Sequence, residues 1–293
     1  MIIEEGHEAD GRGAQAPESG RGSGVDRVPA WYCPGMGTEP QGETGPFRAD
    51  QLRPGDPHEI SNGHLVECLP TGGRGSGPNR LGASVVGWDP AVEQAGVDTG
   101  YSPHPGMLRA PDVAIGNVPD TPGWVLGAPD LAIEYADVDQ NENGLAKKIW
   151  DLLEAGTKLV WVVRLVGPRR VEVHRRGEPS QIAWPGERLH APGILKNPVL
   201  VESLYDREQA ERATLTNLLQ RQGYESLEAV REAGREDGRL AEARAALRRV
   251  LARRGLAPSA ADEARLDGCA DRSTLERWHD AAIVAASAAE ALL

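Results

Sequence analysis

The chain has 293 residues, 40% of them hydrophobic but with a single Phe and 4% aromatics, so it can bury an aliphatic core of one or two domains. A formal charge of −12 excludes general electrostatic attraction to nucleic acid or anionic membrane and leaves only local basic patches for such binding. Cys33, Cys68 and Cys269 are far apart and odd in number, which argues against a disulfide framework or a zinc cluster and fits a reducing cytoplasm.

The chain opens with Met1-Ile2-Ile3-Glu4-Glu5, acidic at once, and no apolar run reaches ~18 residues, so neither a signal peptide nor a transmembrane span is expected. Residues 1–53 are dominated by Gly, Pro, Ser, Glu and Arg, as in Gly20-Arg21-Gly22-Ser23-Gly24. Such a stretch buries too little apolar surface to offset its ordering entropy, and a disordered arm is expected, with Trp31-Tyr32 its candidate docked patch. The acids interspersed among its Arg-Gly pairs weigh against a nucleic-acid-binding arm.

A compact α/β (α+β) domain is expected over residues 54–205. It begins at His58-Glu59-Ile60-Ser61-Asn62-Gly63-His64-Leu65, where Asn-Gly between alternating flanks predicts a two-residue type I′ hairpin. Leu81, Val85 and Trp88 suggest a short helix over Asn79–Trp88. Two strands each carrying an acid follow, Leu108–Ile115 with Asp112 and Pro129–Ala136 with Asp130 and Glu134. A helix from about Asn143 has the buried stripe Leu145, Ile149, Leu152, Leu153 and stops at Gly156, suited to a left-handed cap. Leu159–Val163, the turn Gly167-Pro168 and Arg170–His174 read as another hairpin. From residue 206 to 293 the composition predicts a helical tail, with capping boxes expected at Ser273-Thr274-Leu275-Glu276 and Ser287-Ala288-Ala289-Glu290.

Strand alternation puts Asp112 and Ala114 on one face of the first acid strand, and Ala132, Glu134 and Ala136 on one face of the second. If the strands pair, carboxylates lie among alanines on one side of an apolar sheet, a costly arrangement unless a cation compensates. Asp112 and Glu134 could share one hard cation such as Mg²⁺, which takes carboxylate oxygens and keeps several waters. Asp130 lies roughly 13 Å along the strand from Glu134 and reads as a turn residue after Pro129. At ~100° per residue, Lys148 borders the apolar stripe and can reach the acids, whereas Lys147 points to solvent. Glu142 and Asp139 read as N-terminal helix acids. A metal on two carboxylates beside an ammonium is equipped for phosphodiester hydrolysis. Taken singly, each residue has a plainer explanation: a strand-end acid in solvent for Asp112, a snorkelling boundary lysine for Lys148.

His58–Leu65, Arg109-Ala110-Pro111-Asp112-Val113, Ala128-Pro129-Asp130-Leu131-Ala132-Ile133-Glu134, and Lys148 through Leu153-Glu154-Ala155-Gly156-Thr157-Lys158-Leu159-Val160-Trp161-Val162-Val163 together resemble the Uma-type family of restriction-endonuclease-like proteins, within the PD-(D/E)XK nuclease superfamily. The resemblance spans about His58 to Asp206. It implies a mixed β-sheet flanked by helices, with Asp112 and Glu134 as metal-binding acids, Lys148 as the catalytic lysine and Glu59 as an upstream acid that can complete the metal site. Two positions depart from the pattern. Ala136 stands where the superfamily's lysine usually stands, which transfers that role to Lys148, and Asp137 stands where many members have serine.

In the tail, Arg244, Arg248, Arg249, Arg253 and Arg254 crowd one helix, and either phosphate tracking or plain solvation could explain them. Solvation with packing or self-association is the favoured reading. The expected function is a cytoplasmic endonuclease using Mg²⁺ or Mn²⁺ on DNA. The alternative is a non-catalytic nuclease-fold protein that assembles, with itself or a protein partner, through its C-terminal helices.

Overall fold

Asn62 and Gly63 adopt φ of 51° and 79°, the left-handed pair that a type I′ turn requires. They join β1 (His58–Ser61) to β2 (His64–Glu67), antiparallel with Ser61 opposite His64. The structure, a computed structural model, describes residues 45–138 and 141–293. Most of the expected arm, Trp31-Tyr32 included, lies outside these residues, as does Asp139. The part that is described, residues 45–53, is docked rather than loose. Phe47 N donates to Gly63 O, Ala49 is buried against Ile60 and Leu108, and Trp124 Nε1 donates to Ala49 O at 2.9 Å. Residues 45–53 are therefore packed although composition assigned them to the arm, because a few apolar side chains suffice to seat a segment whose average is polar.

The first helix is also longer than expected. α1 (Gly73–Gly87) runs through Pro78 and a glycine-rich first turn, and buries Leu81, Val85 and Val86. Intrinsic propensity disfavours that first half; tertiary packing of the second half carries it.

A six-stranded sheet comes next, in the order β3 (Ala95–Val97), β4 (Val113–Ile115), β5 (Leu131–Ala136), β6 (Leu159–Arg164), β7 (Arg170–His174), β8 (Gln181–Ala183). β5 and β6 are parallel and every other neighbouring pair is antiparallel. A parallel neighbour needs a crossover, and α2 (Glu142–Ala155) supplies it, capped by Asn141, which accepts from Gly144 N, and ended by Gly156 at φ 114°. The odd-numbered side chains of β5, Leu131, Ile133 and Tyr135, join Trp161 and Val163 in the main core beneath α1. The even-numbered Ala132 and Ala136 pack with Val160 and Val162 under Leu145, Ile149, Leu152 and Leu153 of α2. β9 (Arg188–Leu189) and β10 (Val199–Leu200) make a separate two-stranded pair.

The helical region divides in two. α3 (Arg207–Arg221) belongs to the body built around the six-stranded sheet: Ala210 lies in the main core and Asn217 Nδ2 donates to Val85 O at 2.8 Å. Arg221 reaches back to the carbonyls of Trp88, Asp89 and Val92. The boundary expected at residue 206 thus falls one helix too early, since α3 and the helices after it share one composition. α4 (Leu227–Arg253), α5 (Ala260–Gly268), α6 (Arg272–Val284) and α7 (Ala288–Ala291) build their own core from Leu240, Leu247, Leu251, Leu266, Leu275 and Trp278. Asp271, not Ser273, caps α6, so the expected box there is absent. At α7, Ser287 accepts from Glu290 N as expected, but the Glu290 carboxylate turns to Ala286 N. Among the described residues, no helix is long and apolar enough to cross a membrane.

Candidate active site

Glu134 enters the α2 face of the sheet because it alternates with Ile133 and Tyr135 and shares the face of Ala132 and Ala136, and it is 6% exposed. β4 pairs Val113 with Ile133, so the register carried one step further sets Asp112 opposite Glu134, at the roughly 4.5–5.5 Å Cβ spacing of facing residues. Asp112 itself stands just before the strand, not within it as expected. Pro111 lacks an N–H and ends the ladder, and the Asp112 carboxylate takes over, accepting from Tyr135 N at 2.6 Å. Asp112 is only part-buried, so the site opens to solvent at this acid.

Lys148 arrives from α2 as its helical phase predicts. Its Nζ lies 3.0 Å from Glu134 Oε1 and 3.1 Å from Glu59 Oε1, and donates to Ala110 O at 2.8 Å. Lys147 is exposed. Asp130 stands apart at the start of β5, paired with Lys158 at 2.6 Å. Glu142, expected only to favour the helix dipole, makes two bonds to Arg164, at 2.6 and 2.9 Å.

Behind these residues lies a network to which the sequence pattern assigns no role. Arg109, 1% exposed, donates from Nη1 to Glu59 Oε2 at 2.8 Å. It also donates from Nη2 and Nε to Asp151 Oδ2, at 2.6 and 2.9 Å. Ser61 Oγ donates to the same Asp151 oxygen at 2.6 Å, and Ala110 N to Glu59 Oε1 at 3.2 Å. No local pattern gave it away: at ~100° per residue Asp151 falls well off the apolar stripe of α2, yet it is buried, and a buried acid needs a cation.

Four carboxylates, those of Glu59, Asp112, Glu134 and Asp151, thus face two cations, Arg109 and Lys148. If all ionise, two negative charges remain uncompensated. Burial pushes the Glu134 carboxyl up to about 8, and the neighbouring charges of Asp112 and Glu59 push the same way against Lys148. Burial likewise raises Asp112, helped by Asp98 and Glu59. Burial acts to raise Glu59 too, but Lys148 and Arg109 together outweigh it and hold this acid below its ordinary value. Burial would discharge Lys148, yet Glu134, Glu59 and Asp112 prevail and keep it protonated.

For a metal, this donor set fits Mg²⁺ better than a cage-bound ion. Among the described residues no group of three or more His, Cys, Asp and Glu side chains is arranged to hold a metal. Asp112 and Glu134 supply the one or two carboxylates that Mg²⁺ ordinarily takes, the rest of its shell being water and substrate oxygens. Glu59 is already engaged by two cations and is the weakest of the expected ligands. Four of the five arginines that crowd the C-terminal half of α4 and its cap are engaged within the protein. Arg248 pairs with Glu263 and Asp267, Arg249 with Glu242, and Arg244 and Arg254 cap carbonyls of Cys269, Ala282 and Ala285.

Residues 47–200 match the model of the Uma2 family, described as "Putative restriction endonuclease". The crystal structure titled as a putative nuclease belonging to DUF820 from Anabaena variabilis is similar at 19% identity and a TM-score of 0.48, over 56% of this chain and 99% of that one. No curated protein matches the chain.

Proposed function

The chain belongs to the Uma2 family, and we propose that it is a Mg²⁺- or Mn²⁺-dependent endonuclease that hydrolyses phosphodiester bonds in DNA. One observation carries this reading: a buried cluster of four carboxylates facing two cations, which when fully ionised is two positive charges short of neutrality, and which opens to solvent at Asp112. A divalent cation has the charge this cluster lacks. Asp112 and Glu134 would hold it, and when bound it supplies Lewis acidity toward the phosphate and an acidified water.

The chain's own residues do the rest. Lys148 already directs its ammonium at Ala110 O, Glu59 and Glu134. It therefore fixes the Glu134 carboxylate in place and presents a stationary positive charge to the negative charge that grows on the phosphate in the transition state. Arg109 and Asp151 touch neither substrate nor ion in this scheme; they position Glu59 and α2. The expected location in a reducing cytoplasm belongs to the same proposal and rests on the cysteine usage.

The test is calorimetric titration with Mg²⁺ of the wild type and Glu134→Gln, beside nicking of supercoiled DNA in Mg²⁺ or Mn²⁺. Binding and nicking should both be lost in the variant. Undiminished Mg²⁺ binding by Glu134→Gln would overturn the site. A wild type that binds the ion but cuts no DNA would favour the non-catalytic reading.

A further inference from the structure

A cavity of about 300 Å³ lies between α3 and the β9–β10 pair, on the α1 side of the sheet and so behind the face that carries Glu134. α3 lines it with Gln209, Arg212 and Thr216, three and four residues apart and therefore on one face of the helix. Across from them stand Arg188 of β9, Leu200 of β10 and Ser203 of the short turn Val201–Leu204. Among the described residues no Asp, Glu or His lines this cavity, which in a chain of formal charge −12 leaves two guanidiniums as its charges.

The protein itself makes little use of these groups. Arg188 is exposed and has no ion-pair or hydrogen-bond partner among the described residues. The Arg212 guanidinium has only Glu208, one turn away, in a pair whose side chains are 68% and 76% exposed and which contributes little. Gln209 gives its backbone N–H to Asp206, and its side-chain amide bonds none of the described residues. Ser203 is the sharpest case. It is 2% exposed, its hydroxyl meets no partner among the described residues, and it lines the cavity without being sealed from it. A buried hydroxyl ordinarily has a partner, and here a ligand can be that partner.

We propose that this cavity binds a phosphate-type oxyanion, free or as the head of a small phosphate monoester, at a site distinct from the nuclease centre and independent of the endonuclease reading. Guanidiniums match phosphate oxygens bidentately. The Ser203 hydroxyl and the Gln209 amide donate to the oxygens that remain, and Leu200 offers apolar contact to an ester's organic part. The volume is at the lower end of the ~300–1,000 Å³ usual for ligand pockets, which suits a molecule of this size.

The experiment is calorimetric titration of the metal-free full chain with inorganic phosphate and with 5′-AMP, at pH 7.5 and constant ionic strength. One equivalent should bind. Arg188→Gln should weaken binding roughly tenfold or more, as loss of a charged hydrogen bond does. Ser203→Ala should weaken it several-fold while the Tm of the ligand-free protein stays as in the wild type, because that hydroxyl bonds nothing in the protein. Arg277→Gln, which removes an exposed arginine of α6, should bind as the wild type does. Tighter binding of 5′-AMP than of phosphate assigns the site to monoesters, and equal binding assigns it to phosphate itself. No binding of either probe overturns the site. So does binding that Arg188→Gln and Ser203→Ala leave unchanged, or that Arg277→Gln weakens as much as Arg188→Gln does.

Discussion

Replacing Arg109 by Met keeps the aliphatic stem and deletes the guanidinium, and the geometry singles out the neighbour that suffers. Glu59 retains Lys148 at 3.1 Å and Ala110 N at 3.2 Å. Asp151 retains only the Ser61 hydroxyl, at 2.6 Å. The penalty therefore concentrates on Asp151, 5% exposed and left as an uncompensated buried carboxylate. Breaking a buried pair in this way costs about 3–5 kcal/mol, which for a body of this size lowers Tm by roughly 6–20 °C. Urea denaturation measures the loss. Adding Asp151→Asn to Arg109→Met should restore half or more of the loss, because the amide oxygen still accepts from Ser61. A loss under about 1 kcal/mol, or a double variant no better than the single one, would refute the reasoning.

Further outcomes are expected elsewhere. Lys148→Ala should cut the nicking rate roughly 10²-fold or more while Mg²⁺ binding survives, and Lys147→Ala should behave as wild type; equal rates for both variants would remove Lys148 from the chemistry. Because Glu134 is raised from its ordinary 4.5 to about 8, the metal-free protein should lose stability as pH climbs through that interval, and Mg²⁺ binding at pH 7 should release close to one proton. Calorimetry in buffers of different ionisation enthalpy measures that release, and no release counts against the raised acid. Gly82→Ala sets a methyl group into the Tyr135 hydroxyl, which donates to Leu204 O at 3.0 Å; a loss of about 1–3 kcal/mol is expected, as for an overpacked core, and a neutral result would show that α1 can move away. Truncation after Tyr224 should leave the Tm of the body nearly unchanged, whereas truncation after Asp206 strips α3 and should lower it sharply; identical behaviour of the two would show that α3 is dispensable.

The parts of the molecule that the sequence revealed are those governed by a period. Alternation placed Glu134 and Asp112 on one side of the sheet, and the helical angle separated Lys148 from Lys147. The Asn62-Gly63 turn was legible because few dipeptides tolerate two left-handed positions. The hidden parts depend on partners remote in the chain. β3, three residues long with one glycine, is a strand only because β4 lies beside it. Arg109 and Asp151 are 42 positions apart, and no local pattern announces that they meet. α3 and α4 have the same Arg, Glu and Leu vocabulary, so nothing in composition tells which core each helix serves. Residues 45–53 show the converse: a polar average concealed Phe47, Ala49 and Leu52, which pack against the first hairpin.

Asp151 and Lys148 are one turn apart on α2, and this gives the Arg109–Asp151 contact an indexing role. A lysine on the acid's own strand would be placed by that strand. Here the lysine comes on a separate body, whose rotation and axial travel must be set independently. A slip of one residue would swing the ammonium by ~100° and advance it by ~1.5 Å, far outside reach of Glu134. The guanidinium, bonded to α2 through Asp151 and to β1 through Glu59, acts as a detent that admits one angular setting of the helix. With the ammonium carried by a helix and the acids by strands, their meeting is a matter of tertiary alignment, open to change by substitutions that never touch the carboxylates.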